Sequence, residues 1–153
     1  MREAIVAALK ADEDLSAYMA ANNGHWYDYS TGAKWPLRLS KSDCPAVIVM
    51  PAGLASRAAT NVEDDFEVSI EVGCACDSRD VGEAEDLWWL IEAALRKSAP
   101  SFGLTGYGSP HLARLAGLTV EQLAGKGADD DIAGVNWGCR DRIVLTCRRQ
   151  FSG

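Results

Sequence analysis

The sequence predicts an α+β fold, in which strands and two main helices share one core. The first sign is an alternation of apolar and polar residues from Phe66 to Cys76, the pattern of a strand with one face buried. The second is an amphipathic helix that ends near Arg96 and Lys97. Its apolar positions, three or four residues apart, are Ala84, Leu87, Trp88, Ile91, Ala94 and Leu95. The third is a closing strand over 142–151, again with alternate apolar residues.

Length, composition and charge limit the class of protein. The chain has 153 residues, of which 48% are hydrophobic and 24% charged, so we expect one globular domain over residues 1–153. Its 15 Lys and Arg against 22 Asp and Glu give a net charge of −7, which argues against coating DNA or a membrane surface. No apolar stretch is long enough to cross a bilayer. We therefore predict a soluble protein with no membrane partner and no sequence-specific nucleic-acid partner.

The N-terminal segment has the pattern of a helix. Ile5, Ala8 and Leu9 stand at helical spacing, and the acidic run 12–14 could cap a second turn. We interpret this segment as one helix that a break near Ala11 would divide. An aromatic-rich connection follows over residues 22–43, because turn-forming Asn, Gly, Ser and Pro residues are frequent there.

Proline and glycine residues predict strand ends and loops in the rest of the chain. Pro45 and Pro51 enclose a β-branched run and predict the two ends of a strand, since proline cannot donate to a ladder. Acidic and serine residues at 77–80 supply caps for the amphipathic helix. The remaining segments are a region of glycine and small residues at 100–117, a weak strand candidate at 118–123 and a loop at 125–131.

The five cysteines are an odd number without the dense spacing of a secreted disulfide scaffold, which indicates reduced thiols in a cytosolic setting. They are Cys44, Cys74, Cys76, Cys139 and Cys147. Cys74-x-Cys76 admits a metal or redox interpretation, but strand alternation puts both thiols on the apolar face with Val72. We favour core packing, because structural zinc sites use wider Cys pairs with further ligands at matching spacing.

Histidines, acidic groups and glycines are further candidates for functional sites. His25 and His111 are the two histidines; both fall in loop-like stretches without a catalytic motif, and we favour ordinary surface or partly buried histidines. The acidic groups 63–65 and 129–131 could hold a divalent cation, but both lack the EF-hand pattern and a solvated face is favoured. Glycines at 103, 106 and 108 do not form a nucleotide fingerprint and are interpreted as turn residues. The sequence therefore predicts no catalytic residue, no metal and no cofactor.

Four aromatic residues of the connection admit two interpretations. They are Trp26, Tyr27, Tyr29 and Trp35. Large exposed aromatics anchor protein interfaces. The same side chains could instead cover one end of a small core, and the sequence leaves both interpretations open.

Three blocks of the sequence carry a family resemblance. They are MREAIVAALKADEDLSAYM, SDCPAVIVM and FEVSIEVGCACDSRDVGEAEDLWWLIEAALRKS, and the closing strand RIVLTCRRQF completes the order. In this order the chain resembles the tail-completion, or tail-terminator, proteins of long-tailed bacteriophages. The blocks cover roughly half of the chain and contain no catalytic signature.

The resemblance implies a fold, a role and partners. It implies a small, mainly antiparallel β-sheet with helices packed on one face, and a non-enzymatic protein that forms closed rings, commonly hexameric. Its partners would be copies of itself, the tail-tube protein and the head-side connector. It would be located in the virion tail, after assembly in the host cytoplasm.

The hypothesis names candidate contact residues, chosen by loop position and residue type. They are Trp26, Tyr29 and Trp35, with Asp129, Asp130 and Asp131. The preferred function is a virion structural protein, of phage or prophage, that caps the tail tube and helps to join tail and head. The alternatives are a head-tail connector or neck protein, and a small hydrolase or metal-dependent enzyme with residues scattered in sequence.

Overall fold

The computed structural model describes residues 2–28, 39, 41–59, 63–98, 108–115, 117–123 and 137–150. These residues form three α-helices, one 3-10 helix and six strands. In chain order the elements are α1 (Arg2–Ala11), α2 (Glu13–Ala21), β1 (His25–Asp28), the 3-10 turn (Lys41–Asp43), β2 (Ala46–Ala59), β3 (Glu63–Cys76), α3 (Val81–Ser98), β4 (Gly108–Leu115), β5 (Thr119–Gln122) and β6 (Trp137–Gln150).

The six strands form one sheet in the order β1-β2-β3-β6-β4, and β5 pairs with β6 beside β4. All strand pairs are antiparallel except β1 with β2, which are parallel. The predicted α+β class with a mainly antiparallel sheet is therefore confirmed. The three central strands have 14 residues each, which at ~3.3 Å per residue gives a sheet about 46 Å long.

The helices pack on one face of this sheet, as expected. Their buried apolar side chains meet alternate residues of β2, β3 and β6, such as Val47, Val72 and Ile143. The largest helical contributions are fully buried. They come from Ile5, Leu9, Leu15, Leu87, Trp88, Ile91 and Leu95.

A second, smaller apolar cluster covers part of the opposite face. Ala75 of β3 and Ile48 of β2 lie in it, under Leu39 and Leu123. The sequence predicted that β3 buries only one face, and this is wrong for the C-terminal end of the strand. The cause is nonlocal, because Leu39 and Leu123 are distant in sequence from the strand that they cover.

The predicted break in the N-terminal helix divides it into α1 and α2. Asp12 ends the first helix and caps the second, since its carboxylate accepts a hydrogen bond from the Leu15 amide at 3.0 Å. Lys97 of α3 reaches the same carboxylate at 3.4 Å and the carboxylate of Asp14 at 3.3 Å. The acidic run thus starts α2 and also joins it to α3.

The prediction that Pro51 ends its strand is wrong. β2 continues to Ala59, and Pro51 lies within it, opposite Ile70. The pairing with β3 shifts register directly after Pro51, and such irregular positions tolerate a residue that has no amide hydrogen. β1 pairs with β2 only as far as Val49, so Pro51 lies beyond the parallel ladder.

Two stretches that the sequence assigned to loops contain strands. β1 lies in the aromatic connection and includes His25, and β4 lies in the glycine-rich region and includes His111. Gly108 begins β4, so the prediction that it is a turn residue is wrong. Both strands lie at edges of the sheet, and each pairs with one long neighbour. They therefore lack the strong alternation of apolar and polar residues that marks an internal strand.

The other predicted elements are confirmed. Helix α3 begins at Val81, and the Asp80 carboxylate accepts a hydrogen bond from the Gly82 amide at 2.9 Å. The weak candidate at 118–123 is β5, and the closing strand is β6, which begins five residues earlier than expected. The predicted loop at 125–131 lies outside the described residues.

Candidate interaction surface

The predicted contact residue Trp26 lies in β1, where it is half-buried and packs against the helix-side core. Its neighbour Tyr27 turns to the opposite face, packs against the second cluster and donates its hydroxyl to Asp43 at 2.8 Å. Trp26 therefore has an intramolecular packing role, and an additional contact with another molecule stays a prediction. Tyr29, Trp35, Asp129, Asp130 and Asp131 lie outside the described residues.

Exposed apolar side chains indicate a different surface. Among the described residues, the large hydrophobic side chains that remain exposed are Trp89 (60%), Leu118 (40%) and Val120 (38%). Trp89 is on α3 and the other two are at β5. An exposed tryptophan is the residue type most enriched at interface hot spots, so this side chain marks the outer surface of α3 as a candidate contact.

The surroundings of Trp89 are acidic. Residues three and four positions away on a helix flank a side chain, and on the preceding turn these are Asp86 and Glu85. On the following turn Glu92 pairs with Arg96 at 3.1 Å. In the described part of the chain, no ion pair neutralises Glu85 or Asp86. The indole is thus flanked by two negative charges.

The sequence contained a signal for Trp89. The helical repeat that places Trp88 in the core turns its neighbour about 100° around the helix, away from the sheet. Trp88 is 1% exposed and Trp89 is 60% exposed. The exposed position of Trp89 is therefore predictable from the helical repeat of α3.

A polar cleft of ≈ 290 Å³ lies on the sheet near β5. Its lining residues are Glu71, Gly117, Thr119, Arg140, Asp141 and Arg142. Arg142 of β6 pairs in register with Glu71 of β3. Their neighbours Ile70, Val72 and Ile143 belong to the helix-side core, so strand alternation places Glu71 and Arg142 on the face opposite the helices.

Most charges in the cleft are already paired. The Arg140 guanidinium contacts Glu71 at 3.1 Å and Glu121 at 3.7 Å. The Arg142 side chain is exposed, and no carboxylate in the described ranges forms an ion pair with it. Among the described residues, Arg142 is therefore the cation of the cleft that has no ion pair.

Asp141 fixes the backbone at this cleft. Its carboxylate is 5% exposed and accepts hydrogen bonds from the amides of Gly117 at 2.9 Å and Arg142 at 2.7 Å. Gly117 has φ +146°, a backbone conformation that favours glycine. Asp141 lies where β6 stops pairing with β5 and begins to pair with β4. Its hydrogen bond to Gly117 therefore fixes the residues just before β5 against β6.

The core-packing interpretation of Cys74 and Cys76 is confirmed, since both thiols are buried in the helix-side core. Cys74 stands directly opposite Cys139, which is also buried. A hydrogen bond to Cys139 and burial raise the pKa of Cys74 well above its usual range. Burial also raises the pKa of Cys44 and of Cys76 to about 12. These thiols are protonated at neutral pH, which does not suit a nucleophile.

The acidic group 63–65, weighed above as a cation site, forms the start of β3. The register places Asp64 opposite Arg149 and Asp65 opposite Arg148.

Comparisons with known proteins bear on the fold. No family model and no curated protein matches the chain. Among solved structures, a chain in the virion of a native gene transfer agent (GTA) particle matches with a TM-score of 0.54 at 14% sequence identity. The match covers 99% of this chain and 95% of that chain. At this identity it establishes that the two chains share a fold.

Within the described residues, no helix is long and apolar enough to span a membrane.

Proposed function

We propose that this chain is a virion structural protein that caps a tail tube and helps to join tail and head. The observation that carries the proposal is the likeness to a chain in a GTA virion, because it extends over nearly the full length of both chains. The order of sequence blocks that resembles tail-terminator proteins supports the more specific role. On this proposal the chain lies at the end of the tail, after assembly in the host cytoplasm.

Capping by a closed ring requires surfaces that contact other copies. A ring forms when one surface of a subunit complements a different surface of its neighbour and the rotation between them closes. Exposed Trp89 and the β5 edge are two different surfaces of this kind. Once such a ring occupies the last tube layer, the surface for adding tube subunits is covered.

The placement of polar groups supports a structural rather than an enzymatic role. His25 and His111 lie on β1 and β4, at opposite ends of the strand order. Four strand spacings of ~4.8 Å separate them by about 19 Å across the sheet, and the register offsets them further along the strands, so they do not act on the same bond. The buried thiols at Cys74 and Cys76 are held protonated, and the carboxylate of Asp141 is engaged by two amides.

Loss of the gene from the genome that encodes this chain tests the role. A tail cap predicts particles with overlong or ragged tubes that are not joined to heads, visible by negative-stain electron microscopy, and normal tails on re-expression. Tails of normal length that are merely detached from heads would instead favour the connector alternative. Normal, joined particles in the absence of the chain would contradict both.

A further inference from the structure

We propose that Cys74 and Cys139 form a site of reversible oxidation, at which their thiols join in a disulfide between β3 and β6. The oxidant is oxidised glutathione, a low-molecular-weight disulfide. This inference goes beyond the proposed function and does not depend on it, because it concerns a covalent modification of the folded chain.

The pairing of the strands brings the two cysteines together. Cys74 of β3 stands directly opposite Cys139 of β6 in the antiparallel ladder, and directly opposite residues in such a ladder have Cα atoms about 4.5–5.5 Å apart. Disulfides join residues whose Cα atoms are about 4.4–6.8 Å apart. Opposite residues also turn their side chains to the same face of the sheet, and both thiols lie in the helix-side core. The backbone therefore already has the spacing that the bond requires.

The two side chains also contact each other. A hydrogen bond between the thiols lowers the pKa of Cys139 and, with burial, raises the pKa of Cys74. The Cys74 thiol also donates to the Ala84 carbonyl oxygen at 3.6 Å, an interaction that favours its protonated form. Cys139 is therefore the thiol that ionises first. Since the thiolate is the nucleophile in disulfide exchange, Cys139 attacks the oxidant and Cys74 completes the bond.

The other buried thiols are placed differently. Cys76 stands opposite Trp137 in the same ladder, and Cys44 belongs to the second cluster, on the other face of the sheet. The strand register therefore selects one pair of cysteines for the link.

Both thiols are buried in the folded chain, so the oxidant reaches them through a local opening. At Cys139, β6 is paired on its outer side with β5, which has four residues. A strand this short separates at a lower cost than β3 and β6, which have 14 residues each. Opening of β5 therefore admits the oxidant to Cys139 while the pairing that aligns the two cysteines is retained.

The reaction consists of two exchange steps. In the first, the Cys139 sulfur attacks oxidised glutathione and bonds to one of its sulfur atoms. The glutathione disulfide breaks, and the released glutathione takes up the proton that Cys139 has lost. In the second, the Cys74 sulfur attacks the Cys139 sulfur and releases the other glutathione, which takes up the Cys74 proton. The two thiols are thereby oxidised to one disulfide, and one oxidised glutathione is reduced to two glutathione molecules.

Incubation of the folded protein with oxidised glutathione tests the site. The remaining thiols are then blocked with iodoacetamide in urea, and peptide mapping without reductant locates any link. Of the five cysteines, we expect two to escape alkylation, in one linked pair of peptides that contains Cys74 and Cys139. The melting temperature should rise by about 4 °C or more, because a cross-link constrains the unfolded chain. Dithiothreitol should reverse this rise.

Two variants form a matched pair, since each replaces a buried thiol of β3 in the helix-side core. Cys74→Ala is expected to abolish both the link and the rise in melting temperature, whereas Cys76→Ala should retain both. Circular dichroism under reducing conditions establishes that each variant is folded. The peptide map of the wild-type protein is a test that needs neither variant.

Three results would overturn the inference. The first is a folded wild-type protein that keeps all its thiols free after incubation with oxidised glutathione. The second is a link that includes Cys44, Cys76 or Cys147. The third is a link between Cys74 and Cys139 that forms only in denaturant, because the folded geometry would then play no part. The proposed function has its own test in particles that lack the chain, so the two failures are distinguishable.

Discussion

At the scale of single residues, Asp141 connects two parts of the chain that are 24 positions apart. Its carboxylate accepts hydrogen bonds from the amides of Gly117 and Arg142 at the point where β6 changes from one strand neighbour to another. The side chain thus shapes the cleft without presenting its own charge to solvent. It is a structural acid next to an exposed base.

Replacing Asp141 should therefore cost stability. We expect Asp141→Ala to lower the free energy of unfolding by about 1–3 kcal/mol, because it removes a charged acceptor from two part-buried hydrogen bonds to amides. Asp141→Asn retains one acceptor oxygen and should cost less. Urea unfolding at pH 7 measures both, with Asp86→Ala, an exposed acid on α3, as the control. Equal stability of the Asp141→Ala and Asp86→Ala variants would contradict this role.

The buried thiols give the protein a predicted weakness at alkaline pH. Burial raises the pKa of Cys44 and Cys76 to about 12 in the folded chain, whereas an exposed thiol ionises near ~8.5. Above that pH the unfolded chain releases these protons and the folded chain does not. Stability is therefore complete below the unfolded pKa and is lost as pH rises towards the folded pKa.

The slope of this loss can be measured. Each such thiol should lower the free energy of unfolding by up to about 1.4 kcal/mol per pH unit above pH ~9. Denaturant unfolding at pH 7, 8, 9 and 10 is expected to show the decline, and Cys76→Ala should make it shallower by the share of one thiol. A decline that is unchanged by this substitution would show that other groups cause it.

At the scale of elements, the acidic run 12–14 has two separable effects on α2. Asp12 caps the helix through the Leu15 amide and also pairs with Lys97, while Asp14 pairs with Lys97 alone. The Asp14 side chain is 71% exposed, and surface ion pairs contribute little. The cap should therefore dominate.

The two acids provide a matched pair of variants. Asp12→Ala is expected to lower the free energy of unfolding by about 1 kcal/mol, since it removes the N-cap acceptor. Asp14→Ala should change it by less than about 0.5 kcal/mol. Thermal and urea unfolding measure both. If the two substitutions had equal effects, the ion pair with Lys97 and not the cap would be the important interaction.

The elements that could be predicted from the sequence are those whose signal is local. α3 buries one side against the sheet, and alternate residues of β3 from Ile70 to Cys76 contribute to the same core, so the apolar residues of both elements recur with a clear period. β1 and β4 lie at sheet edges, and their pairing depends on β2 and β6, which are distant in sequence. The extension of β2 past Pro51 depends on a register shift against β3. Such tertiary pairings leave no periodic trace in the segment itself.

The candidate site was less predictable than the fold. The sequence drew attention to clustered aromatics, yet Trp26 packs on its own core. Trp89 was recoverable from the helical repeat of α3. Arg142 and its cleft were not, because Glu71, Thr119 and Arg142 come together only through the pairing of β3 and β5 with β6.

At the scale of the whole molecule, the two tryptophans separate stability from assembly. Trp26→Ala should lower the free energy of unfolding by up to about 3 kcal/mol, since it removes a half-buried ring from the core. Trp89→Ala should leave unfolding almost unchanged and weaken self-association. Urea unfolding and sedimentation on the same preparations make the comparison. A Trp89→Ala variant that is unstable but associates normally would contradict the division.

Within the described residues four thiols and most large apolar side chains are buried, and the exposed indole of Trp89 is left for contact with another molecule, as a subunit of a ring requires. Cryo-electron microscopy of the particles encoded with this chain tests that claim most directly. We expect several copies of the 16.4 kDa chain in one closed ring at the end of the tail tube. Particles that lack the chain, or that carry it as a single copy or along the length of the tube, would contradict the account.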